Sequence, residues 1–188
     1  MKILFLIAFI LPLTSFSESC KYLADKDDVK LSWVAFKTPL KVGVGGRFEE
    51  LGIKTDLSGD SLASFLQGIE FKINSASTKT GNSSRDSKIV KYFFKKMVNG
   101  LDISGKTYKY SKKVLFVDLR MNNVSNNIEL KVTQDENQII AQGVIDVYDF
   151  SLHDSLKGIN MACKELHQGK TWNDVEVKLV IPFTKKCS

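Results

Sequence analysis

The sequence predicts a mainly β protein, an antiparallel barrel or sandwich, on three observations. Apolar residues alternate with polar ones at period two in at least seven segments. Short polar turns such as Asp135-Glu136-Asn137 separate those segments. Only two longer segments carry their apolar residues at helical spacing.

The N-terminal stretch comes first in the chain and stands apart. In MKILFLIAFILPLTSFSES a single Lys precedes an apolar run from Ile3 to Leu11, followed by Pro12 and small residues. That is the layout of a secretory signal peptide, and the run is too short to span a bilayer. Ser15 and Ser17 suit signal peptidase, so residues 1–17 are expected to be removed by cleavage near Ser17, leaving 18–188 as a single domain. A lipoprotein anchor at Cys20 is disfavoured because Glu18 stands where a small residue is needed. No other stretch has the composition of a membrane-spanning helix. A periplasmic or secreted protein without stable membrane insertion is expected.

The strands follow in order. Leu31, Trp33 and Ala35 alternate with Ser32, and Val42, Val44 and Phe48 alternate with Gly43 and Arg47. Ile69, Phe71 and Ile73 alternate with Glu70 and Lys72. Leu115, Val117, Leu119 and Met121 alternate with Asp118 and Arg120, and Ile128, Leu130 and Val132 with Glu129 and Lys131. Ile139, Ala141, Ile145 and Val147 form another set, and Val175, Val177, Leu179, Ile181 and Phe183 the last. Each run has one apolar and one wet face, as antiparallel strands do. The glycines of VGVGG, residues 42–46, lead into a strand rather than a helix. They therefore suit a bend or bulge in a curved sheet and not a phosphate cradle.

Two segments break this pattern. From Ser84 to Lys96, Ile89, Val90, Phe93 and Phe94 recur at helical spacing, with Arg85 and Asp86 at the start. From Ser151 to Gln168, Leu152, Leu156, Ile159, Cys163 and Leu166 do the same, with Ser151 or Asp154 as cap and Gly169 as stop. A third, short helix fits residues 60–67.

The net charge of +6 comes mostly from scattered Lys, with Arg only at 47, 85 and 120. Nucleic-acid binding would need clustered Arg with interleaved aromatics, so it is not expected; contact with an anionic membrane surface is compatible with the surplus. His153 and His167, the only histidines, are fourteen residues apart in one helical segment and cannot share a metal ion. Cys163 and His167, at i and i+4, have the spacing of a nucleophile and base, but Cys163 lies on an apolar stripe with no orienting third group. No catalytic residue, metal site or cofactor motif is expected. The three cysteines, Cys20, Cys163 and Cys187, imply one disulfide and one free thiol in an oxidising compartment. Large inward residues such as Trp33, Phe48, Phe71 and Phe183 fit either a plugged lumen or an apolar tunnel.

The order of motifs adds a family resemblance. LSW and GGRFEEL near the start, FKINSASTKTGNSSRDSKIVKYFF, LRMNNVSNNIELKV and the final VEVKLVIPF together resemble the YceI-like family over roughly Tyr22 to Lys185. The resemblance implies a lipocalin-like antiparallel barrel of about eight strands with two short helical segments. It implies no enzymatic activity, but binding of a long apolar lipid, polyisoprenoid or quinone-type, for transport or storage. The lining it implies is Trp33, Val44, Phe48, Phe71, Phe93, Phe94, Val117, Leu119, Leu130, Ile145, Leu179 and Phe183. Phe93 and Phe94 would lie over the lipid, and Arg85 and Asp86 would pin the connection before them. With the first and last strands side by side, Cys20 and Cys187 would be bonded and Cys163 free. The sequence departs from the family at Lys37-Thr38-Pro39, where many members have His, at Asn123, where Gly is usual, and in the length of 151–172. Two other readings are an envelope interaction module with a filled barrel and, more remotely, an enzyme built on Cys163 and His167.

Overall fold

The structure, a computed structural model, describes residues 19–187; the expected signal segment lies outside the described residues. The first half of the chain forms β1 (Cys20–Leu23), β2 (Lys30–Lys37), β3 (Val42–Phe48), β4 (Leu51–Ile53), β5 (Ser58–Gly59), α1 (Leu62–Leu66), β6 (Glu70–Asn74), β7 (Thr78–Lys79) and α2 (Ser83–Tyr92). The second half forms β8 (Asp102–Ser111), β9 (Val114–Met121), β10 (Val124–Gln134), β11 (Gln138–Asp146), α3 (His153–Ala162), β12 (Thr171–Pro182) and β13 (Thr184–Cys187).

Ten of these strands make one antiparallel sheet in the order β4-β6-β8-β9-β10-β11-β12-β2-β3-β7. Its two ends come from adjacent pieces of chain, because β3 runs on into β4 and β6 into β7. The pieces meet through backbone bonds: Glu49 N–H donates to Ser77 O and Asn74 N–H to Glu50 O. Counting β3–β4 and β6–β7 as one broken strand each, the sheet curls into an eight-stranded barrel. The expected strands are all present, and β2 pairs with β12 as supposed, Leu31 opposite Leu179. Two-residue turns at Lys112-Lys113 and Asn122-Asn123 take positive φ at both residues, the backbone that tight hairpins require. Asn122 is well suited to that conformation. Its side chain donates to Phe150 O and accepts from Val98 N–H, tying the hairpin to the segments before β8 and α3.

Three corrections follow. The β2–β3 ladder runs without a register shift from Leu31–Phe48 to Lys37–Val42, so the VGVGG glycines make no bulge there. A Cβ on Gly46 would instead fall inside the Trp33 indole. The expected cap of α3 is also absent. Ser151 adopts left-handed backbone at the end of a preceding 3-10 turn, and Leu152 stands at the cap position without a side-chain bond. The disulfide is Cys20–Cys187, as expected, but both residues lie within strands of a separate small sheet, β13-β1-β5, where they are directly opposite. Cys163 is free and buried.

The ends of the barrel are filled differently. At the end where β2 begins, Phe65 and Leu66 of α1 are driven into the lumen and meet Leu57, Ile69, Ile139, Ile181 and Phe183. A reciprocal Ser61–Ser64 capping box fixes this short helix. At the other end α2 and α3 lie across the barrel, with Phe94, Met97, Leu152 and Leu156 packed on Ile73, Ile103 and Leu119. The two helices approach closely because α3 carries Gly158 at the contact: a Cβ there would come within 2.5 Å of Tyr92 O.

Gly158→Ala is therefore expected to destabilise the protein by about 1 to 2 kcal/mol, overpacking the contact by more than the roughly 1 kcal/mol gained in helix propensity. Urea unfolding checks this; equal or greater stability would show that the helices can part freely. The disulfide closes a separation of 167 residues. Cys20→Ser/Cys187→Ser should lose about 2 to 5 kcal/mol in the same assay.

Candidate functional site

Between the α1 plug and the two covering helices the lumen is hollow. The cavity there has a volume of about 390 Å³, within the range of roughly 300 to 1,000 Å³ usual for small-molecule sites. Its wall is set by strand alternation: Trp33, Ala35, Val44, Ile145, Val175 and Val177 are inward residues of β2, β3, β11 and β12. Its roof comes from the helices. Ile89 of α2 and Leu156 and Ile159 of α3 point down, with Cys163 just past the end of α3. Phe93 and Phe94, edge to face at 5.2 Å, close one side, and Phe94 rests on Phe48 at 5.9 Å.

Six of the twelve expected lining residues face this cavity: Trp33, Val44, Phe48, Phe93, Phe94 and Ile145. The other six do not. Val117, Leu130 and Phe183 are buried in the packed core around α1, with Phe71 and Leu179 against it, and Leu119 is buried in the core beneath the helices. Strand alternation marks inward residues along the full height of the barrel, but α1 fills the lower part. Their inward direction was legible; the occupation of that end by a five-residue helix was not.

The open end is polar. Lys37 at the end of β2, Asn82, Ser84, Arg85 and Lys88 at the start of α2, His167 before β12 and Thr171 at its first position border it. Arg85 donates from Nε to Thr80 Oγ1 at 2.8 Å and from a terminal nitrogen to Thr80 O at 3.0 Å. Asp86 accepts from Thr80 N–H at 2.9 Å and from its hydroxyl at 2.6 Å. The pair thus holds the loop before α2, as its position suggested. Thr171 donates its hydroxyl proton to Asn160 Oδ1 at 2.9 Å, so His167 must donate from Nδ1 to Thr171 Oγ1 at 2.7 Å. Burial first, and the positive charge of Lys37 second, hold the His167 imidazole below its ordinary value.

Nothing in this arrangement joins Cys163 and His167 as a nucleophile and base. Both border the cavity, but among the described residues no hydrogen bond links their side chains, and His167 Nδ1 is committed to Thr171. No group of three or more His, Cys, Asp or Glu among the described residues could hold a metal ion. The Trp33 indole N–H is buried without a hydrogen-bond partner, an unmet donor beside an apolar space. The polar rim was missed in the sequence because its members come from three separated stretches. Lys37, Arg85, Lys88 and His167 meet only after the sheet has closed.

The result is an antiparallel barrel plugged at one end, with a largely apolar cavity above the plug. The chain belongs to the YceI-like family: the YceI-like domain model matches residues 22–183. Solved structures share the fold. A polyisoprenoid binding domain from Saccharophagus degradans, implicated in plant cell wall breakdown, superposes with a TM-score of 0.60 at 18% identity, covering 87% of this chain and 97% of that one. BcnA of Burkholderia cenocepacia gives a TM-score of 0.60 at 14% identity, covering 85% and 98%. The Campylobacter jejuni YCEI protein gives 0.53 at 19% identity, covering 78% and 86%. No curated protein matches this sequence. Among the described residues no helix is long and apolar enough to cross a membrane.

The lowered proton affinity of His167 has a direction that can be checked. The folded state favours neutral imidazole more than the unfolded chain does, whose value is near 6.5. The stabilisation is whole above that pH and declines as the pH falls toward the folded value. Between about pH 7.5 and about pH 5.5 the thermal midpoint of the wild type should fall further than that of His167→Asn. An equal fall in both proteins would dissociate His167 from acid sensitivity.

Proposed function

We propose that this protein binds a long apolar lipid of the polyisoprenoid or quinone type in its barrel and acts as an exported carrier or store for it. The observation that carries this reading is the hollow, apolar end of the lumen, roofed by α2 and α3. Burial of a hydrocarbon chain against such a wall is favourable by about 0.8 kcal/mol per methylene. The Saccharophagus degradans structure, described as a polyisoprenoid binding domain, supports the class of ligand. The signal-like segment at residues 1–17 and the Cys20–Cys187 disulfide support export to an oxidising compartment, periplasmic or extracellular. Binding is preferred over catalysis because the rim has no nucleophile joined to a base. A filled barrel serving only as an interaction module fits less well, since the lumen above α1 is hollow. The lysine surplus leaves a role for contact with a membrane surface during loading.

Native mass spectrometry of protein purified from its own host should detect a non-covalent lipid. Ala35→Trp, which puts an indole into the hollow, should lose that adduct while keeping a wild-type thermal midpoint. A wild type free of adduct, or a stable Ala35→Trp protein that retains it in full, would sink the reading.

A further inference from the structure

The large apolar side chains left in water gather at one end of the barrel. Eight are exposed among the described residues, and six of them, Leu40, Val42, Val98, Tyr148, Met161 and Leu166, lie where β2 stops and β12 starts. Only Tyr108 and Val144 lie within the wall, on β8 and β11. The six come from four connections that are tied to one another. Thr38 N–H donates to Lys170 O, Asn122 accepts from Val98 N–H and donates to Phe150 O, and Asp146 pairs with Asp174. Leu40 is 85% exposed and Val98 79%, both in turns. An exposed apolar cluster of this kind marks an interaction surface. The cations of the same end are left without acidic partners. The segment 83–96 carries Arg85, Lys88, Lys91, Lys95 and Lys96 against one acid, Asp86, which is buried and held by Thr80. Lys157, Lys164 and Lys170 follow on α3 and the run after it, with Asp154 and Glu165 as the acids of that stretch. None of these eight cations makes an ion pair among the described residues.

We propose that this end of the barrel docks on an anionic bilayer, with Leu40, Val98, Met161 and Leu166 entering the interface and the lysines of α2 and α3 against the membrane surface. The apolar residues project separately, from loops and a helix end and not from one packed face. That suits insertion into a fluid lipid surface better than docking on a shaped protein. Unpaired lysines beside them supply charge complementarity, each strengthening attachment to an anionic surface by about fivefold. The small sheet β13-β1-β5 and its disulfide lie at the α1 end and remain in water. The cavity would then open toward the bilayer. For its purpose, the exchange of lipid, the docking rests on the lipid-binding reading; the surface itself does not.

The test is co-sedimentation of the protein, purified from its own host, with vesicles of phosphatidylglycerol and phosphatidylcholine in equal parts. Vesicles of phosphatidylcholine alone are the control. At low ionic strength the wild type should bind the mixed vesicles about tenfold tighter than the control, and added salt should close the gap. Leu40→Ser/Met161→Ser removes two exposed side chains that do not border the cavity, and should weaken binding to the mixed vesicles about tenfold. Lys91→Gln/Lys95→Gln should weaken it to a similar degree, about tenfold. Lys185→Gln/Lys186→Gln loses the same charge at the α1 end and should bind like the wild type. Should a double variant fail to fold, Leu40→Ser or Lys91→Gln alone carries the same comparison. Equal binding to both vesicle types, or no binding to either, would overturn the docking. So would an equal loss from the two lysine pairs, or full binding by Leu40→Ser/Met161→Ser. Self-association that this last variant abolishes, without vesicle binding, would assign the face to a second copy of the chain and overturn the bilayer. Native mass spectrometry of the same preparations separates the two readings. A lipid adduct in protein that ignores vesicles would sink the docking alone, and vesicle binding by adduct-free protein would sink the lipid reading alone.

Discussion

Everything inside this molecule depends on the seam where the sheet meets itself. A strand running from Val42 to Ile53 breaks at Glu49-Glu50, and its two halves turn to different neighbours, β3 to β2 and β7, β4 to β6. Ser77, buried at the break, stitches the gap. Its carbonyl accepts from Glu49 N–H, while its hydroxyl donates to Asn74 O and accepts from Glu50 N–H. The two acidic side chains stay outside, Glu49 on Arg47 and Glu50 on the Asn74 amide. Without the seam the sheet would have two edges, and its inward faces would not enclose a space.

Closure alone makes a barrel that side chains can fill. What keeps part of it hollow is an imbalance in how the ends are stopped. α1 sends Phe65 and Leu66 into the lumen, whereas α2 and α3 lie across the other end and send down mainly Ile89, Leu156 and Ile159. Trp33 is the largest inward residue between them, and Gly46, its partner on the neighbouring β3, leaves the space that the indole ring occupies. The floor is thus packed to the density of a core and the roof rests on its rim.

Much of this was legible in the sequence. Period-two alternation located the strands whose inward positions are large and apolar, and helical spacing located α2 and α3. β8 escaped because its inward positions are Ile103, Gly105 and Thr107. Gly105 sits under the Phe71 ring, and the buried Thr107 hydroxyl donates to Leu66 O and accepts from Ile69 N–H. Those residues suit their neighbours but give no apolar rhythm. The lining was half legible for a related reason. Alternation tells which way a side chain points, and whether it meets a cavity or a plug depends on α1, whose five residues carry no periodic signal of their own. The cationic rim has no signature, because its charges are scattered along the chain and gather only across the fold.

The stretch from Ile73 to Phe94 joins these features in one piece of chain. It starts as the strand that makes the seam, with Asn74 and Ser77 supplying the bonds. Its polar middle is fixed by Thr80, which holds Arg85 and Asp86 together, and by Asn82, which caps α2 through Arg85 N–H. It ends with Phe93 and Phe94 at the side of the cavity. Polar residues are needed in the middle because that turn lies where the cavity opens to water and has backbone groups to satisfy. Closing the barrel therefore also sets the start of α2, and with it Arg85 and Lys88, at the rim. The same covalent continuity fixes the position of the aromatic wall relative to the cations at the rim.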